Sequence, residues 1–103
     1  MDTLYVNNDH VIELQDLRDV DGTLITAATV TAILYEPDGV TEVTGVTWPI
    51  TLDYTGARGT YRGEIPAGAD VIPGGRYKLH ISAVYGGKQY AVTRTVRVEE
   101  RYT

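Results

Sequence analysis

The sequence predicts an all-β protein, a two-sheet antiparallel sandwich of about seven strands, and three observations predict it. Apolar residues recur at every second position, as in Tyr77, Leu79, Ile81, Ala83 and Tyr85. A strand sends successive side chains to opposite faces, so this period makes one dry face and one wet face. Clusters of Gly, Pro and Asp interrupt the runs at short intervals; Gly supplies positive φ and Pro presets φ near about −65°, which makes each cluster a turn. Thr, Val and Tyr are abundant while serine occurs only at Ser82, the composition of pleated, half-buried surfaces. Many short strands in 103 residues make a sandwich, with a small closed barrel as the alternative.

Taken in order, Ile12 and Leu14 open a strand over 10–17, which the turn Asp19-Val20-Asp21-Gly22 follows. Val30, Ala32 and Leu34 carry a strand over 28–36, ahead of Glu36-Pro37-Asp38-Gly39. Val46, Trp48, Ile50, Leu52 and Tyr54 mark 45–54. Pro49 inside that run has no N–H to donate, which puts the strand at an edge or Pro49 at a bulge. Tyr61 and Ile65 mark 59–65, and strands over 76–85 and 89–98 flank Gly86-Gly87, a two-residue hairpin signal. A short further strand falls near 3–7 or 41–44, and only 67–72, between Pro66 and Pro73, admits a helical turn. In the last strand Arg94 shares the parity of Val92, Val96 and Val98. A bulge that resets the register is the preferred reading; an inward Arg94 near a sheet edge, a device against edge pairing, is the alternative.

Composition excludes several classes of function. With 9 Lys+Arg against 14 Asp+Glu the formal charge is −5, the wrong sign for a nucleic-acid partner. There is no cysteine, hence no disulfide frame, thiolate metal site or thiol nucleophile. No apolar run approaches the roughly 20 residues of a membrane span. The start Met1-Asp2-Thr3-Leu4 has none of the basic and apolar regions of a signal peptide, so synthesis in a host cytoplasm is expected.

Candidate constellations reduce to structural readings. A calcium loop opening at Asp19 needs a carboxylate at its twelfth position, and that residue is Val30. His10 and His80 have no metal-ligand spacing. Ser82 sits mid-strand without a turn to present its hydroxyl. Glu13, Glu36, Glu64 and the aspartates could supply a carboxylate pair for glycoside hydrolysis, but a chain this short offers no obvious cleft. Gly56-Ala57-Arg58-Gly59 lacks the lysine and helix of a phosphate loop. The expectation is a non-enzyme without cofactor or metal.

Asp21-Gly22-Thr23-Leu24-Ile25, Ala27-Ala28-Thr29-Val30-Thr31-Ala32, Pro37-Asp38-Gly39 and Gly75-Arg76-Tyr77-Lys78-Leu79-His80-Ile81 together resemble immunoglobulin-like domains of tailed-bacteriophage virion proteins, including the N-terminal domain of baseplate upper proteins. The resemblance implies an immunoglobulin-like sandwich over 10–98, with Tyr77 as a tyrosine corner. Gly75, Gly22 and Gly39 are then structural turn residues. It brings no catalytic residues, and the cysteine pair of antibody domains is absent.

The resemblance implies a virion structural or accessory protein, with a capsid decoration subunit first and a tail, baseplate or head–tail connector adaptor next. A carbohydrate- or surface-binding sandwich is the alternative of another class. The partners would be other virion proteins, with self-association also open, and the location the virion. Every aromatic ring carries a polar handle, with 8 Tyr, 1 Trp and no Phe, which suits surfaces dry on one side and wet on the other. Tyr5, Tyr35, Trp48, Tyr90, Arg94 and Tyr102 are the candidate interface residues; rim-of-core tyrosines are the plainer reading. Residues 1–9 and 99–103 lack core patterning and are expected to be arms that order on a neighbour.

Overall fold

The computed structural model describes residues 2–6 and 8–100. Within them lie seven strands and no helix: β1 (Asp2–Tyr5), β2 (His10–Leu14), β3 (Thr29–Tyr35), β4 (Ile50–Tyr54), β5 (Tyr61–Ile65), β6 (Arg76–Tyr85) and β7 (Lys88–Glu99). They hydrogen-bond in the order β1-β7-β6-β3-β4-β5-β2. β4 turns the corner between layers: Ile50 and Leu52 lie opposite Ala32 and Val30 of β3, while Asp53 and Tyr54 lie opposite Arg62 and Tyr61 of β5. One layer is therefore β1-β7-β6-β3 and the other β5-β2, joined along one side by β4. The third, sixth and seventh strands share one layer and the second and fifth the other, which is the immunoglobulin-like arrangement. Continuous hydrogen bonding through β4 also gives the sandwich a nearly barrel-like section.

The dry stripes meet between the layers. Val30, Ala32 and Leu34 of β3 and Tyr77, Leu79, Ile81 and Ala83 of β6 are buried, as are Ile12, Leu52, Tyr61 and Ile65 from β2, β4 and β5. Alternation along β6 is complete from Tyr77 to Ala83, as a strand with one face on a core requires. The twelve residues of β7 span about 40 Å at roughly 3.3 Å per residue. That length accounts for most of the 46 Å long axis of the molecule.

Several expectations change. The ladders are antiparallel except one: β1 runs parallel to β7, with Asp2 opposite Val96 and Tyr5 opposite Glu99. The expected N-terminal arm is thus partly a sheet strand, and its Leu4 belongs to the core at 2% exposure. At the other end Glu99 closes β7, and the rest of the expected tail beyond Glu100 lies outside the described residues. The strand expected over 45–54 begins only at Ile50, because Pro49, joined to Trp48 by a cis bond, lies ahead of the ladder. β2 stops at Leu14, since Asp16 takes a positive φ of 58° and turns the chain. No helical turn forms at 67–72; Ala69 N–H instead closes a tight turn onto Pro66.

The bulge expected at Arg94 is absent. Pairing of β6 with β7 keeps one register from Arg76↔Arg97 to Tyr85↔Lys88, so Arg94 stays on the parity of Val96 and Val98 and points between the layers.

Candidate functional site

Opposite the corner made by β4, the two layers part along an open seam. On one side of it runs β7, on the other β2, and no described strand joins them. The carbonyl of Glu99 accepts from Val6 N–H at 3.0 Å, so Glu99 faces away from β6. Since backbone direction alternates along a strand, Thr95, Thr93, Ala91 and Gln89 face the same way. β1 covers this edge only from Val96 to Glu99. On the facing strand, the Glu13 carbonyl accepts from Arg94 Nη1 at 2.8 Å, which shows that Glu13, and with it Val11, faces the seam.

Two side chains of β7 bridge the gap. Arg94 reaches the Glu13 carbonyl as described, and the Tyr90 hydroxyl lies 3.2 Å from Asp19 Oδ1, just beyond β2. Partial burial, together with the acceptor Asp19, raises the Tyr90 pKa above its ordinary value of 10.0. Between these bridges lies a small apolar hollow of about 110 Å³ floored by Leu14, Leu17 and Ile81. On the far side of Arg94 a shallow polar groove of about 400 Å³ runs past Thr3, His10 and Gln15.

The structure brings two of the expected interface residues to this seam, Tyr90 and Arg94. Tyr5 is half-buried at the end of β1. Tyr35 lies on the outer face of the large layer, edge-on to His80 with ring centroids 6.5 Å apart. Trp48 packs against the core, and its indole N–H donates to the Val43 carbonyl at 2.6 Å. Tyr102 lies outside the described residues. Among the described residues these positions do not form one continuous aromatic patch. Sequence reasoning missed the acceptors across the seam, the Glu13 carbonyl and Asp19, because a backbone carbonyl and a turn aspartate carry no pattern of their own. The parity of Arg94 was the available signal.

The structural candidates lie at turns. Tyr77 folds back so that its hydroxyl accepts from Ile72 N–H at 3.0 Å, the geometry of a tyrosine corner. Gly75 leaves room for that ring: a Cβ there would stand 2.6 Å from Tyr77 Cε1. Gly22 and Gly39 end their turns with φ of 90° and 76°. Tyr61 makes a second clasp, donating to the Ile25 carbonyl at 2.9 Å and accepting from Ala28 N–H at 3.0 Å.

The acidic side chains are engaged locally. Asp21 accepts from Thr23 N–H, and that bond holds its carboxyl below the usual range. Asp38 is lowered by bonds from the backbones of Thr41 and Val40 and from the Thr41 hydroxyl. Glu13 is lowered chiefly by Arg62, whose Nη2 lies 2.6 Å from Oε2, and then by Gln15. Among the described residues no three His, Asp or Glu side chains gather in a group able to hold a metal ion. The carboxylates of Asp21, Asp38 and Glu13 each sit in polar bonds at the surface, an arrangement that stabilises turns and a ladder. Comparison of the chain with family models, with curated proteins and with solved structures gives no match.

Proposed function

We propose that this chain is a non-enzymatic structural subunit of a tailed-phage virion, a capsid decoration protein in the first instance. The reading is supported by the resemblance of its turn and strand motifs to virion domains. One observation carries it furthest: those motifs fall at successive structural positions of a single immunoglobulin-like frame. The Asp21-Gly22 turn follows β2, the Thr29–Ala32 run is β3, the Pro37-Asp38-Gly39 turn follows it, and Gly75-Arg76-Tyr77 opens β6. Such a subunit works by contact alone. Each copy docks through aromatic and arginine side chains, and repetition over a symmetric shell turns modest single contacts into firm attachment. Tail or baseplate attachment is the variant of the same proposal, with a different surface as receptor.

The test is co-sedimentation of purified protein with purified heads and, separately, purified tails. Saturable binding to heads at a fixed copy number is the expected result. Binding to tails alone transfers the proposal to an adaptor. Failure to bind either, with retention on a glycan array, overturns it in favour of a sugar-binding module.

A further inference from the structure

We propose that the outer face of the larger layer, around Arg76, Lys78 and Arg97, docks an acidic segment of a partner protein, one that lies extended on the sheet and presents carboxylates at alternate positions. This surface chemistry is independent of the virion reading, because it concerns the partner's side chains whatever body carries them. The chain holds 14 Asp+Glu against 9 Lys+Arg. Even so, the positions of Thr29–Tyr35, Arg76–Val84 and Gln89–Arg97 that face away from the core include no carboxylate. They carry Arg76, Lys78 and Arg97 instead. Arg76 lies directly opposite Arg97 across the β6–β7 ladder, and Lys78 stands two residues further along β6, about 7 Å away on the same face. Like charges set opposite one another destabilise a sheet, so an anion that settles among them is favoured.

The local contacts leave most of that charge in place. Lys78 Nζ donates to Thr95 Oγ1 at 3.2 Å, a neutral hydroxyl, and among the described residues no carboxylate forms an ion pair with it. The turn after β3 passes beside Lys78, but its Asp38 carboxylate is turned onto Val40 and Thr41. Glu99 holds Arg97 at 2.9 Å, with the two side chains 44% and 49% exposed, a pair that water screens. Carboxylates suit this ground. A guanidinium fork takes a carboxylate in two parallel bonds, and an extended chain repeats its side chains on one face about every 7 Å, the spacing of Arg76 and Lys78. On the same face Ile33 and Tyr35 of β3 are half-buried, with Tyr35 edge-on to His80, which adds the apolar and aromatic surface that protein interfaces use. Nucleic acid is the poorer match, since the −5 charge of the chain repels its continuous phosphates.

Titration of the full chain with a short synthetic peptide that alternates glutamate and threonine, followed through backbone amide chemical shifts, tests the surface. The expected result is saturable binding below about 1 mM, with the shifts centred on Arg76, Lys78, Thr95 and Arg97. Added salt should weaken it, and the same peptide with glutamine in place of glutamate should not bind. Lys78→Gln combined with Arg97→Gln should raise the dissociation constant about tenfold or more. Arg18→Gln combined with Arg58→Gln, the same change of charge made in loops, should leave it unaltered; circular dichroism verifies that each variant is folded. A glutamate peptide that fails to bind up to about 1 mM overturns the proposal. So does equal binding of the glutamine peptide, binding that survives the Lys78 and Arg97 substitutions, or a DNA duplex that occupies this face more tightly than the peptide does.

Discussion

Two tyrosine hydroxyls hold loops to the core of this protein. The Tyr61 ring is buried at 1% exposure and its hydroxyl satisfies both the Ile25 carbonyl and the Ala28 N–H. Tyr61→Phe keeps the ring but strands those backbone groups, a loss expected to cost about 1–3 kcal/mol in urea-induced unfolding. Tyr77→Phe loses a single bond, to Ile72 N–H, and should cost about 1 kcal/mol in the same assay. Leu79, fully buried between the layers, sets the scale for the core: Leu79→Ala should cost about 2–5 kcal/mol. Tyr77 was legible in the sequence because a tyrosine following Gly75 is a local motif. The bonds of Tyr61 were not, since its partners lie 33 and 36 residues away.

At the scale of elements, the first strand decides the most. β1 supplies Leu4 to the core and covers the β7 edge from Val96 to Glu99. Deleting residues 1–5 should therefore lower the thermal midpoint and lengthen the uncovered edge, read as increased light scattering on heating. An arm that merely hung free would leave the midpoint unchanged. Arg94 acts on the same edge from within: it lies between the layers and ties β7 to the Glu13 carbonyl across the seam. Arg94→Met should cost about 1 kcal/mol of stability and speed amide exchange along β2. The residues that make β4 a corner carry no such local signature. Ile50 and Leu52 pair with β3 and Tyr54 with β5, a division that follows from closing the layers on one side.

For the molecule as a whole, acid stability follows from its turns and edge. Glu13, Asp21 and Asp38 all hold their carboxyls below the ordinary 4.5 or 3.8, through Arg62 and Gln15, Thr23, and Thr41 with Val40 respectively. A carboxyl that binds its proton less readily when folded favours the folded state above its ordinary pKa, and that contribution drains away as pH falls through the depressed value. The thermal midpoint should thus be nearly level from neutral pH down to the ordinary carboxylate range and fall below it. Asp38→Asn should make the fall shallower, because it removes one group that takes up a proton on unfolding.

The chain by itself determined the strand class, the turns and the inner faces. Those features are local: an every-second-residue period, a glycine at positive φ or a proline ahead of a strand acts over a few residues and leaves a mark in any sequence. For that reason β6 spans Arg76–Tyr85, the residues that its every-second-residue period marks. Tertiary structure alone decided that Asp2–Tyr5 runs parallel to β7, that β4 serves both layers, and that Arg94 faces inward without a bulge. Each of these depends on where a distant segment arrives, and hydrogen bonds between remote backbones are indifferent to the side chains that carry them.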